Sequence, residues 1–144
     1  MSRFLLVTSG RSLFGLDLKA VCEVIKEPLL HDVPLAPPGL MGVINVHDMV
    51  VPVIDFARLC GAADGAGRQM VVLESPRLAL AVTAVHGLCS PSFGMPGGLI
   101  RPWVCETFIC NRGVAGLIDV TVLQQTLQQH LLSPDAASMH GFEG

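Results

Sequence analysis

This sequence has little charge. Asp, Glu, Lys and Arg make up 15% of its 144 residues, against about 25% in an average domain. The net charge is −3 and no Lys/Arg cluster occurs, which argues against nucleic acid as a partner. Long apolar runs are also missing. The longest candidate, Leu78–Cys89, is broken by Thr83, His86 and Gly87 and falls well short of the ~20 residues of a membrane span. The N-terminus runs almost at once into a strand-like segment, so no signal peptide is expected. The five cysteines, Cys22, Cys60, Cys89, Cys105 and Cys110, are odd in number and show no CxxC spacing. That suits free, mostly buried thiols in a reducing cytoplasm.

Catalytic constellations are equally scarce. Gly94–Gly98 has glycines but no Lys-Ser/Thr, so it is no phosphate loop. Ser9 and Ser12 lie in no nucleophile-elbow context, and nothing local activates a Cys–His pair. His31-Asp32 and His47-Asp48 both spell the His-Asp dipeptide of metal phosphohydrolases. A small metal-dependent hydrolase would need all four ligands to converge from loops. Solvated turn residues are the simpler reading. No enzyme activity, no metal and no cofactor are therefore expected.

What is abundant is apolar. Hydrophobic residues reach 51%, and with so little charge some of that surface must stay exposed, as at partner-binding patches. The chain is organised around Gly42–Asp55, where the β-branched runs Val43–Val46 and Val50–Ile54 flank His47-Asp48. This reads as an antiparallel hairpin. The second run is apolar at consecutive positions, so both faces should be covered, and Pro52 calls for an edge or a bulge. The exposed apolar surface is expected near this hairpin, with Val51 as an outward contact. Asp55 can cap a short helix over Phe56–Cys60.

Elsewhere Arg3–Thr8, Leu13–Leu16, Val24–Lys26, Gln69–Glu74, Leu78–Thr83, Phe108–Cys110 and Val114–Ile118 read as strands. Asp17 can cap helical turns through Leu18–Cys22. Pro28–Gly39 and Pro91–Gly98 read as loops and Gly61–Gly67 as a flexible connection. Val120, Leu123, Leu127 and Leu131 recur at helical spacing. That stripe should pack on the chain's own sheet. Trp103 could belong to a core or to a groove. The fold class is all-β with a C-terminal helix. One domain over 1–132, with its connection near 61–68, precedes a mobile tail, 133–144.

The hairpin also resembles a known signature. Gly42-Val43-Ile44-Asn45, Val51-Pro52-Val53-Ile54-Asp55 and Ala57-Arg58-Leu59 are similar to the motif of CheW-like domains. Phe14–Leu18, Val21–Ile25 and Gly116–Asp119 add weaker similarity, so the match runs from about Phe4 to about Leu131. The resemblance implies two small five-stranded β-barrels side by side with a groove between them. It implies a cytoplasmic adaptor that couples the cytoplasmic tip of a chemoreceptor to a chemotaxis-type histidine kinase. It also implies partner contacts at Val21, Glu23 and Asn45, although Asn is common in turns for structural reasons. His47 and Asp48 stand where the family usually has Arg and Gly, and Thr83 where many members have Asp. A histidine supplies neither the permanent charge nor the planar fork of an arginine. An acidic patch on a standard partner should therefore bind more weakly, or the chain serves a different signalling system.

Overall fold

The computed structural model describes residues 3–37, 39–60, 69–75, 77–90, 94–96 and 101–129. The expected connection at 61–68 and the tail 133–144 lie outside them. The first elements are β1 (Phe4–Ser9), β2 (Ser12–Asp17), β3 (Val21–Lys26), β4 (Leu40–Val46), β5 (Met49–Asp55) and α1 (Phe56–Leu59). They continue as β6 (Gln69–Leu73), β7 (Ala79–Val82), β8 (Ala84–Cys89), β9 (Gly94–Pro96), β10 (Val104–Cys110), β11 (Gly113–Ile118) and α2 (Val120–Leu127). The all-β class with a C-terminal helix is what the sequence led us to expect.

The strands form two sheets, ordered β8-β1-β2-β11-β10-β9 and β3-β6-β7-β5-β4. Leaving out β9, the two follow one plan. Two antiparallel pairings (β8 with β1, β1 with β2; β3 with β6, β6 with β7) are followed by a parallel one, β2 with β11 or β7 with β5. An antiparallel hairpin then completes each unit, β10-β11 or β4-β5. The two five-stranded units are thus present, and β9 adds a sixth strand beside β10.

Three local readings need correction. The helical piece after Asp17 is a single 3-10 turn, Leu18–Ala20, because β3 already starts at Val21 through its pairing with Leu73. β8 was not foreseen; Gly87, with φ 103°, interrupts its pattern, and a register shift between Leu6 and Val7 absorbs the irregularity. β9 lies inside the expected loop Pro91–Gly98.

The main core lies between the sheets. Leu5, Val7, Phe14 and Leu16 from one meet Val71, Leu73, Leu80 and Val82 from the other. Phe14, Phe56 and Trp103 form an aromatic triangle there, with centroids 5.1 to 5.5 Å apart. Trp103 is therefore a core residue. Leu123 and Leu127 of α2 bury into the same cluster and Val120 packs against it, so this part of the helical stripe packs on its own chain; Leu131 lies outside the described residues. The Asp119 side chain accepts from the Val122 N–H at the start of α2, 3.2 Å away, and Asp55 does the same for Arg58 in α1. Each sheet also has a smaller core on its other face. Ile44, Val46, Val51, Val53, Met70 and Val72 fill one; Leu6, Phe108 and Ala115 fill the other. Strands β6 and β7 are buried on both faces, which explains their unbroken apolar runs.

Candidate functional site

The β4-β5 hairpin turns on His47 and Asp48, both at positive φ (50° and 65°). Two left-handed central residues are what a type I′ turn requires, and its twist matches the flanking strands. Asp48 thus takes a conformation that glycine adopts most easily, and Asp is among the side chains that tolerate it. The two-residue turn fixes the register: Val46 faces Met49, Asn45 faces Val50, Ile44 faces Val51. Pro52 lies just before Val53, where pairing with β7 begins, so this half of β5 has a partner on one side only. Gly42 is needed nearby. It has φ 153°, and a Cβ there would run into the His31 backbone carbonyl, whose residue bridges to Val43.

This register settles which side chains face outward. Val51 is fully buried beside Ile44 and Val53, whereas Val50 is 72% exposed. The assignment of Val51 as an outward contact is therefore corrected. Period-two alternation places it with Ile44 on the inner face and Val50 with polar Asn45 on the outer one. The signal was in the sequence: the polar residue two positions before a two-residue turn marks the outer face.

Of the remaining expected contact residues, the structure unites two. His47 Nε2 lies 2.6 Å from Glu23 Oε1, so the imidazole N–H donates to the carboxylate. Glu23 sits on β3 and His47 at the end of β4, which are opposite edges of one sheet. The contact shows that the sheet curls until its edges meet. Asn45 and Asp48 are exposed beside it, and Val21 is half-buried against the main core. Val24 and Met49 are exposed around the pair. β3 and the hairpin thus carry exposed apolar side chains together with one hydrogen-bonded contact between the sheet's edges.

The second sheet carries its counterpart. Its β10-β11 hairpin pairs Cys110 with Gly113 and Ile109 with Val114 around Asn111-Arg112. Ile109 and Val114 occupy the positions of Asn45 and Val50, and both are exposed.

His31 and His47 are held by different partners, a strand bridge and Glu23. Among the described residues no three His, Cys, Asp or Glu side chains gather as metal ligands. The five cysteines are free; four are half-buried and Cys105 is exposed, so none is as deeply buried as expected. No helix among the described residues is long and apolar enough to cross a membrane.

Two curled sheets with apolar hairpin ends define an all-β interaction module. The family model for the CheW-like domain matches residues 3–125, and the chain belongs to that family. Among solved structures it is similar to the scaffolding protein TtCheW from Thermoanaerobacter tengcongensis. The two share 21% identity at a TM-score of 0.72, over 81% of this chain and 88% of that one. No curated protein matches significantly.

Proposed function

We propose that this chain is a non-enzymatic cytoplasmic adaptor that couples a chemoreceptor tip to a chemotaxis-type histidine kinase through the kinase's related regulatory domain. Membership of the CheW-like family supports the scaffold role. The observation that carries the reading is the exposed Val50 on the outer face of the hairpin, with Val24 on the same face of β3 and Met49 at the turn, on the strands that bring Glu23 to His47. A large aliphatic side chain left in water on a strand otherwise packed inward marks a surface meant to be covered. The apolar end docks the kinase domain, and the groove between the sheets takes receptor helices. Bivalence then makes geometry and effective concentration more important than any single contact.

The Glu23–His47 contact changes how the tip works. Where an arginine would offer a permanent charge to a partner, His47 here answers the chain's own carboxylate. A partner that uses either group must compete with that contact. This favours a partner adjusted to the pair, within chemotaxis or a related signalling system. Binding of a chemotaxis kinase regulatory domain to wild type and Val50→Arg tests the assignment. Loss of binding with intact folding supports it; equal affinity removes Val50 from the interface.

A further inference from the structure

We propose that Cys89 and Cys110 are a redox-convertible pair whose disulfide closes the six-stranded sheet between β8 and β10. Strand register carries the argument. Cys89 pairs with Phe4 across the β1-β8 ladder, so the two side chains share a face. The Phe4 ring stacks on Phe108 at 5.5 Å. Phe108 and Cys110 are two residues apart on β10, so they also share a face. Both cysteines accordingly pack against the same small core of Leu6, Phe108 and Ala115. Cys22 and Cys60 pack against the other two cores, and Cys105 is exposed.

The plan shared by the two sheets supports the same conclusion. In one, the edges meet through Glu23 and His47; in the other, the strands in those places are β8 and β10, and their cysteines pack on the same small core. Each thiol donates only weakly at present, Cys110 to the Gly113 carbonyl at 3.4 Å and Cys89 to that of Ser90 at 3.6 Å. Burial, and then the neighbouring Cys110 thiol, push the Cys89 thiol up, which keeps it protonated and slow to react alone.

A small-molecule disulfide is the co-reactant. The Cys110 thiolate, next to the exposed turn Asn111-Arg112, attacks it and expels one thiol, leaving a mixed disulfide. The Cys89 thiolate then attacks the Cys110 sulfur and expels the second. Two electrons pass from the protein to the small disulfide, and the two protein protons end on the released thiols. The neighbours Leu88 and Ile109 are exposed on the outer side, so the bond would fix the spacing of the apolar surface that they form with Val114.

The test equilibrates the full chain in oxidised and reduced glutathione mixtures and maps linked peptides after Glu-specific digestion, which cuts at Glu106 between Cys89 and Cys110. Wild type and Cys105→Ser should both give a Cys89–Cys110 link that dithiothreitol reverses, while Cys89→Ser and Cys110→Ser lose it. The cross-linked form should also unfold at higher urea than the reduced form. Only mixed glutathione adducts, a dominant link to another cysteine, or no product while wild type remains folded would overturn the proposal.

Discussion

Val50 and Val51 are consecutive, chemically identical and on one strand, yet the register sends them opposite ways. Truncating each to Ala therefore isolates burial from every other variable. Val51 is 0% exposed, packed among Ile44, Val53 and their neighbours. Removing the equivalent of two methylenes forfeits about 1.6 kcal/mol of transfer free energy. The cavity left among the packed side chains of that core adds about 1 kcal/mol. Val51→Ala should thus lose about 2.5 kcal/mol, or roughly 10 °C in Tm at about 4 °C per kcal/mol for a domain of this size. Val50 has little transfer term left to lose, so Val50→Ala should cost at most about 0.5 kcal/mol from strand preference. Urea unfolding with a shared slope, checked by calorimetry, reads both. Equal losses for the two variants, or less than about 1 kcal/mol for Val51→Ala, would refute the register and the outward placement of Val50.

The other predictions are as direct. Replacing His47 by Arg together with Asp48 by Gly should tighten binding to a standard chemotaxis partner roughly ten-fold, in the range of one charge-assisted hydrogen bond; weaker binding would indicate a partner adjusted to this chain, and no change would place the tip outside the interface. Gly42→Ala should destabilise by about 2 kcal/mol, since the backbone is left-handed there and the His31 carbonyl blocks the Cβ, and a neutral result in a melt would contradict that crowding. Asp119→Ala should cost about 1 kcal/mol by removing the α2 cap, while Asp119→Asn keeps most of it. Burial first, and then Arg112, hold the His86 pKa below the ordinary histidine value. The folded state thus binds fewer protons than the unfolded chain, so this group's contribution is complete above about pH 6.5 and is lost as pH falls below it. His86→Gln should flatten the acid side of a stability–pH curve, and an unchanged curve would show that His86 is not linked to folding.

The strands that were legible in the sequence are those whose pattern is clean. β4 and β5 are β-branched around a two-residue turn, and β6 and β7 are continuous apolar runs because both faces meet a core. β8 escaped because Gly87 and His86 break its period, and its pairing with β1 spans most of the chain. β9 escaped because three residues bounded by Pro and Gly carry no period at all. The hairpin could be read as an interface, but choosing Val50 over Val51 as its outward residue required counting from the turn, and apolar identity alone does not distinguish inner from outer. The meeting of Glu23 with His47 was not visible, because it depends on how far the sheet curls and not on any local spacing.

The central claim is bridging. Receptor cytoplasmic tips, assembled as bundles, should carry down little of the kinase on their own in a sedimentation assay. With the full chain added, the kinase should co-sediment in proportion to the bound adaptor, and Val50→Arg should abolish this while remaining folded. Kinase sedimentation that is the same with and without the chain would contradict the account.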